Sequence, residues 1–336
     1  MDFRLELQIK PWKRGLNIRE SIMLMGSCFT SHMAAKLAHH RFKVLENPHG
    51  ILFNPVSIAN ALRDYKTEKH FTDTNVFEWN GFWQSWHHHG RFTDADKGLV
   101  LTNMNREREE GTAFLKKSKW LFITLGSAFV YELNPGTEIY PANEVIVAAN
   151  CHKVPAQHFT HRLPGNGEVL DAVQEIVNIA QAANPTIQIV FTISPVRHYR
   201  EGLVENNRSK GLLHNAVGEA LQKSEGVHYF PAYELIIDDL RDYRFFAEDL
   251  VHPNYLATQY VWEKFSEACI DDESRGLMEN INRINAAMQH KPRHKESEQH
   301  HTFLAKMKLE TEQLAMKAPY LDLTDAINYF TDVKYD

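Results

Sequence analysis

Five short apolar runs, separated by longer amphipathic segments, dominate the pattern of hydrophobic positions along the chain. Each run is nearly continuous rather than strictly alternating, which is typical of parallel strands covered on both faces. The runs occupy residues 22–26, 42–46, 120–125, 187–194 and 227–230. We interpret them as the buried strands of one sheet.

Helical periodicity fills most of the intervals between these runs. Apolar residues recur every three or four positions in residues 31–40, 55–65, 169–183 and, more weakly, 211–223. Pro55 stands at a first-turn position, where its fixed φ suits a helix start. The alternation of strands and helices predicts an α/β fold with three layers, α/β/α, around a five-stranded parallel sheet.

An aromatic segment interrupts this alternation at residues 66–105. Trp79, Trp83 and Trp86 lie there among glycine, asparagine and histidine, which indicates an insertion of turns and hairpins. The tryptophans either form a platform on which a sugar stacks or pack as the core of the insertion.

The last part of the chain is polar but carries two helical stripes. Met278, Ile281 and Ile284 begin one stripe, and Phe303 and Met307 begin the other. We therefore predict that a helical extension, residues 271–336, follows a main domain formed by residues 1–270. The extension either covers the sheet or mediates formation of a homo-oligomer.

Composition places the chain among ordinary globular proteins. Hydrophobic residues make up 43%, and 37 basic residues face 43 acidic ones, a balance that does not favour nucleic-acid partners. No apolar run approaches the ~20 residues of a membrane span, and the first residues lack the apolar core of a secretory signal. Three cysteines at wide spacings argue against a disulfide framework. We predict a cytoplasmic protein without membrane partners.

Candidate catalytic residues follow the predicted strands, at the edge where open parallel sheets bind ligands. Ser27 follows the first strand and opens a helix, while Asp249 and His252 follow the fifth. A serine hydroxyl needs a base to become a nucleophile. In a tight loop, Asp249 can fix the tautomer of His252 while the other ring nitrogen faces Ser27. The alternative is that Ser27 only caps the helix.

Several of these segments resemble a known family. GSCF at 26–29, LGSAFVYE at 125–132, SPVRHYREG at 194–202 and FAEDLVHPN at 246–254 are similar to motifs of the GSCFA-domain family, which looks like a branch of the SGNH/GDSL hydrolase superfamily. The resemblance runs from about residue 20 to 266. It implies a flavodoxin-like sheet in the order 2-1-3-4-5. It also implies that Ser27 is the nucleophile, His252 the general base and Asp249 the orienting carboxylate.

The oxyanion donors are less clear from the sequence. The backbone amides of Ser27, Gly50 and Gly126 are candidates, and glycine permits close approach of the ester carbonyl. Ala128 stands near the position where the superfamily supplies an asparagine side chain, and losing one such donor costs roughly 10²–10³ in rate. The Asn54 and Asn150 side chains or the Ser127 hydroxyl are possible replacements.

Polar residues at the same edge are candidates for binding substrate. Arg197 and His198 favour an anionic or polyhydroxylated substrate, with ion pairing of the arginine as the structural alternative. The predicted substrate-binding residues are Asn54, Ser127, Asn150, His152, Arg197 and His198.

Two other chemistries are disfavoured. A thiol mechanism using Cys28, with His152 as its base, is unattractive because the Cys28 side chain should point into the packing between sheet and helix. The 19 histidines include consecutive runs, but neighbours on a strand point to opposite faces, and neither HExxH nor CxxC occurs. We therefore predict no metal and no cofactor.

Together these patterns predict a serine hydrolase of the SGNH type. Its expected reaction removes an O-acyl group from a carbohydrate or small metabolite. An O-acyltransferase, which would use the same residues with water excluded, and a catalytically weak carbohydrate- or anion-binding module are the alternatives.

Overall fold

The computed structural model describes residues 5–140, 142–294 and 296–332. Its strands are β1 (Ser21–Gly26), β2 (Lys43–Glu46), β3 (Phe77–Trp79), β4 (Phe82–Gln84), β5 (Trp120–Leu125), β6 (Val130–Leu133), β7 (Ile146–Ala148), β8 (Phe159–Arg162), β9 (Gln188–Ile193) and β10 (Val227–Tyr229). Its helices are α1 (Cys28–His39), α2 (Pro55–Lys66), α3 (Lys97–Lys117), α4 (Asn166–Ala183), α5 (Gly202–Lys223), the single turn α6 (Ala232–Glu234), α7 (Tyr255–Cys269), α8 (Asp272–Gln289), α9 (Glu298–Lys317) and α10 (Thr324–Asp332).

The central sheet contains the five strands that the apolar runs predict. Its order is β10-β9-β5-β1-β2, and every neighbouring pair is parallel. Counted along the chain, this is the order 2-1-3-4-5. The structure thus confirms the flavodoxin-like topology that the family resemblance implies.

The two faces of this sheet bury two different clusters, because successive side chains of a strand point to opposite sides. In β1, Ile22 and Leu24 belong to one cluster, whereas Met23 and Met25 belong to the other. Helices α1 and α7 cover the first face, and α2, α4 and α5 cover the second. Helices on both faces give the predicted three layers.

The insertion is only partly what its sequence predicts. Strands β3 and β4 form an antiparallel hairpin, as expected, but α3 begins at Lys97, inside the segment interpreted as turns. This helix is highly polar and buries few apolar residues, such as Val100 and Met104, so its periodicity is weak. The antiparallel sheet β7-β6-β8 was not predicted either, because strands of three or four residues carry little pattern.

The tryptophans of the insertion have different environments. Trp86 is buried and stacks on Phe77 with ring centroids 3.6 Å apart, so it forms part of the insertion's own core. Trp83 lies beneath the ammonium group of Lys97. Trp79 is half-buried and lines a cavity.

The C-terminal helices pack on the first face of the central sheet. Ile281 of α8, Met307 of α9 and Phe330 of α10 belong to the same buried cluster as Leu24. Helices α8 and α9 confirm the two predicted stripes, whereas α10 was not predicted. Self-association through these helices stays a prediction. In the described ranges, no helix has both the length and the apolar character needed to cross a bilayer.

Candidate active site

The turn between β1 and α1 forces Ser27 into a fixed position. Gly26 has φ +138°, and a Cβ there would lie 2.2 Å from the carbonyl oxygen of Thr124 on the neighbouring strand β5. Its N–H donates to Asn47 Oδ1 at 2.8 Å. Only glycine fits this position without displacing the strand ends. The close approach of β1 to β5 therefore sets where Ser27 lies.

The hydroxyl of Ser27 makes no hydrogen bond to a described residue that would stabilise the fold. Ser27 occupies the N-cap of α1, yet its side chain does not cap the helix. Its Oγ is shielded from solvent and has no hydrogen-bond partner among the residues that the structure describes. A helix-capping role therefore does not explain this serine. A hydrogen bond to His252 is absent as well.

Asp249 and His252 form the pair that their spacing predicts. Asp249 Oδ2 lies 2.6 Å from His252 Nδ1, while Oδ1 accepts the backbone N–H groups of Val251 at 2.9 Å and His252 at 3.0 Å. These hydrogen bonds, led by the amide of His252, lower the pKa of Asp249 to about 2. An ionised carboxylate holds the proton of His252 on Nδ1, which leaves Nε2 as the basic nitrogen.

The predicted oxyanion amides are all engaged within the chain. Their N–H groups donate to nearby carbonyl oxygens: Ser27 to Thr124 at 3.1 Å, Gly50 to Asn47 at 2.7 Å and Gly126 to Phe53 at 2.8 Å. Each of the three N–H groups is therefore already hydrogen-bonded in this conformation, and their role as oxyanion donors stays a prediction.

His198 lies beside Ser27, across Gly126. The position that a Cβ would occupy on Gly126 is 3.2 Å from both Ser27 Cβ and His198 Nε2, and 3.3 Å from the ring of Phe53. The rings of Phe53 and His198 meet edge to face, with centroids 5.7 Å apart. Burial, reinforced by the charges of Lys210 and His252, lowers the pKa of His198 to about 4. The imidazole is therefore neutral near pH 7.

Lys210 is a buried cation beneath the same edge, and sequence reasoning missed its importance. Its Nζ donates to the carbonyl oxygens of Gly126 at 2.7 Å and Ser194 at 2.6 Å, tying together the segments after β5 and β9. Burial lowers its pKa to about 7. The available signal is its place on the buried stripe of α5, in register with Leu213 and Val217.

Two predicted substrate-binding residues stabilise local structure, and their contact with substrate stays a prediction. Asn54 caps α2 by accepting the N–H of Ser57 at 2.8 Å. The Ser127 hydroxyl lies 3.2 Å from that of Ser209 and accepts the N–H of Phe129 at 3.2 Å. In both residues the side-chain oxygen accepts a backbone N–H group of a nearby residue.

Asn150 and His152 belong to a separate cavity of about 450 Å³ in the insertion. Its lining includes Trp79 and Phe82 but none of the three predicted triad residues. The structure therefore does not place Asn150 or His152 beside Ser27.

Arg197 lies next to the loop that carries Asp249 and His252. Its guanidinium stacks over the rings of Phe246 at 4.2 Å and Tyr243 at 5.0 Å. The backbone N–H of Arg197 donates to the carbonyl oxygen of Val251 at 3.3 Å. No ion pair of Arg197 occurs within the described part of the chain. The aromatic contacts hold its charge at the rim without neutralising it.

Cys28 does not have the surroundings of an activated thiol. Burial raises the pKa of Cys28 above its ordinary value. The proposed base, His152, is hydrogen-bonded through Nε2 to the carbonyl oxygen of Ser85 at 2.7 Å. Among the described residues, no cluster of three or more histidine, cysteine or acidic side chains could hold a metal ion.

Comparison with known proteins gives a family. The GSCFA family model matches residues 21–265, and the model of the GSCFA domain protein, C-terminal domain, matches residues 281–332. A search of curated proteins finds no match.

Similar solved structures include two esterases. A carbohydrate esterase family 3 from Talaromyces cellulolyticus has 9% identity and a TM-score of 0.34, with 79% of this chain and 99% of that chain covered. A Clostridium thermocellum family 3 carbohydrate esterase has 8% identity and a TM-score of 0.35, with 77% and 98% covered. The assignment rests on the family models, the first of which covers more than half of the sequence: the chain belongs to the GSCFA family.

Proposed function

We propose that this protein is a serine esterase of the SGNH type that removes an O-acyl group from a carbohydrate or small metabolite. The observation that carries the proposal is the 2.6 Å contact between Asp249 Oδ2 and His252 Nδ1, at the sheet edge where Ser27 follows β1. That contact prepares Nε2 of His252 to accept a proton. The unused hydroxyl of Ser27 supplies the matching nucleophile.

The reaction would run through an acyl-enzyme. Ser27 Oγ forms a bond to the ester carbonyl carbon while its proton passes to His252 Nε2. The tetrahedral oxyanion collapses, the bond to the alcohol oxygen breaks, and the leaving alcohol takes the proton from His252. Water then attacks the acyl carbon and gives its proton to His252, and collapse returns that proton to Ser27 with release of the acid.

One observation favours acyl transfer as the second candidate. Ser27 is only 1% exposed and its Oγ is shielded from solvent. Water reaches a buried acyl-enzyme only slowly, so its hydrolysis is slow. An acceptor molecule whose shape fits the site can then take the acyl group on its hydroxyl. The side chains above Ser27 must move before either substrate reaches it.

The test is hydrolysis of p-nitrophenyl esters of increasing acyl length and of acetylated sugars by wild type, Ser27→Ala and His252→Ala. We expect turnover by the wild type and loss of roughly 10³-fold or more in each variant. Ser31→Ala is the matched control, because Ser31 lies one turn further along α1 and bonds Glu46.

Each outcome decides between the candidates. Turnover that depends on Ser27 but not on Ser31 supports the esterase. Turnover that appears only when an acceptor sugar is added, and with the same dependence on Ser27, supports the acyltransferase. Equal rates for wild type and Ser27→Ala on every ester, with and without an acceptor, contradict both and leave the binding module.

A further inference from the structure

We infer that the imidazole of His198 donates the hydrogen bond that stabilises the oxyanion, in place of the asparagine side chain that the superfamily supplies near the position of Ala128. This inference rests on the proposed serine chemistry and adds a catalytic residue to it. Its basis is the juxtaposition of His198 Nε2 and Ser27 across Gly126.

An oxyanion needs a donor, and the usual ones are engaged. The amides of Ser27, Gly50 and Gly126 each donate to a carbonyl oxygen within the chain. A tetrahedral oxyanion without a directed donor would lose much of the electrostatic stabilisation that drives acyl transfer. With these three amides engaged, a side chain near Ser27 can supply the missing donor.

The other side-chain candidates either line a different cavity or make hydrogen bonds of their own. Asn150 lines the separate cavity in the insertion, and the Ser127 hydroxyl is directed to Ser209 and to the N–H of Phe129. Asn54 is held at the N-terminus of α2 as its cap. His198 lies close to Ser27 instead, since the position of a Cβ on Gly126 is 3.2 Å from both side chains.

The distances suit a shared oxygen atom. Ser27 Cβ and His198 Nε2 each lie 3.2 Å from the position of a Cβ on Gly126, so the two atoms lie within twice that distance of each other. Once a substrate has entered, a carbonyl oxygen bound to the carbon that Ser27 attacks would lie between them, within hydrogen-bond reach of Nε2. A side chain at Gly126 would block this position.

The surroundings keep His198 in the state that this role needs. A neutral imidazole carries one N–H and donates it without giving up a proton, which suits stabilisation of developing negative charge. Burial first, and then the nearby charges of Lys210 and His252, disfavour a positive charge on the ring. The backbone N–H of His198 bonds Asn206 Oδ1 at 2.9 Å, which anchors the residue.

The kinetic test compares His198→Ala and His198→Gln on p-nitrophenyl acetate. We expect Ala to lower kcat by roughly 10²–10³-fold with little change in KM, because the donor acts on the transition state. Glutamine should restore at least tenfold of that loss, since its amide N–H reaches a similar position. His228→Ala is the matched control, a half-buried histidine at the opposite end of the sheet, beside Trp12 and Trp120.

The outcomes separate this inference from the function on which it rests. Wild-type kcat in His198→Ala, while Ser27→Ala is inactive, overturns the donor role and keeps the esterase. Activity that survives in Ser27→Ala removes the esterase itself. A loss in His198→Ala that comes with a lowered melting temperature, and that glutamine does not restore, assigns His198 a structural role and overturns the inference.

The tautomer gives an independent readout. In ¹⁵N NMR spectra of the full-length protein, His198 should titrate near pH 4 and carry its proton on Nε2 from pH 6 to 8. A neutral ring protonated on Nδ1 would face the oxyanion with a lone pair and would overturn the donor role. The His198→Gln spectrum identifies the resonance.

Discussion

Gly26 is the residue whose replacement should disturb the site most directly. Gly26→Ala adds a Cβ 2.2 Å from the Thr124 carbonyl oxygen at a φ of +138°, so β1 and β5 must separate. We expect a loss of about 3 kcal/mol in the free energy of unfolding in urea, together with loss of activity.

The control for this prediction is Gly136→Ala. Gly136 also has a positive φ, +69°, but a Cβ there meets nothing within 4 Å. Gly136→Ala should therefore lower the free energy of unfolding only by the cost of the strained backbone conformation, about 1 kcal/mol. Equal losses in the two variants would show that contact with Thr124 does not hold Gly26 in place.

Asp249→Asn tests the orientation of His252. An amide at this position no longer fixes the Nδ1 proton, so kcat should fall by roughly 10⁴-fold while the fold survives. Asp242→Asn is the control, because Asp242 caps a neighbouring turn by accepting the N–H of Arg244. A fall of similar size in Asp242→Asn would contradict a specific role for Asp249.

The lowered pKa of Asp249 also leads to a prediction about how stability depends on pH. Its lowered pKa of about 2 means that its contribution to stability is fully present above the ordinary value of 3.8 and is lost as pH falls through about 2. The carboxylate is therefore ionised at pH 4 and above. Carboxyl ¹³C shifts that titrate above pH 4 would contradict this charge state.

At the scale of elements, Lys210 of α5 links the ends of β5 and β9. Its pKa of about 7 lies below the ordinary 10.5. Between pH 7 and pH 10.5, Lys210 is therefore protonated in the unfolded chain but neutral in the folded chain. The cost of burying Lys210 is therefore greatest below pH 7 and declines as pH rises toward 10.5.

The measurement is urea unfolding of wild type and Lys210→Met at pH 7 and pH 9. The free energy of unfolding of the wild type, relative to that of Lys210→Met, should rise by up to about 1.4 kcal/mol per pH unit over this interval. A difference that is constant with pH would contradict the titration of Lys210. Lys223→Met, at the exposed end of α5, controls for general effects of removing a lysine.

The elements of the central sheet were predictable because burial on both faces leaves an unambiguous apolar run. All five strands lie within two residues of their predicted limits, whereas α3 and β6–β8 were not predicted from the sequence. Helix α3 draws its partners from α2 and the insertion, and the three short strands depend on pairing with each other. Tertiary contacts that no local pattern carries determine these elements.

The candidate site was predictable where a motif is local. Asp249 and His252 are three residues apart, so their contact follows from the loop alone. The state of the backbone amides was not predictable, because the acceptor of the Ser27 N–H lies on a different strand, at Thr124. The burial of Lys210 likewise depends on how α5 packs over the sheet.

At the scale of the whole molecule, the C-terminal helices and the central sheet share one cluster. Ile281 is fully buried in α8, so Ile281→Ala should cost about 2–5 kcal/mol. Every tryptophan lies before residue 263, so tryptophan fluorescence reports unfolding of the sheet and its insertion. A shared core predicts that the fluorescence midpoint in urea falls in Ile281→Ala.

Met316→Ala controls for side-chain truncation, because Met316 is 74% exposed on α9. It should change stability by less than about 0.5 kcal/mol. An unchanged tryptophan transition in Ile281→Ala, with helix lost separately by circular dichroism, would show that the C-terminal helices unfold on their own.

The shared cluster also fixes an order of events during synthesis. Leu24 leaves the ribosome early, but Ile281, which covers the same face, follows roughly 250 residues later. At about 5–20 residues per second, the part of this face that packs against α8–α10 waits on the order of ten to fifty seconds for its cover. Helices α1 and α7 are synthesised earlier and pack on the same face, so only the part that the C-terminal helices bury stays exposed. Apolar surface exposed for this interval makes the nascent chain prone to aggregation.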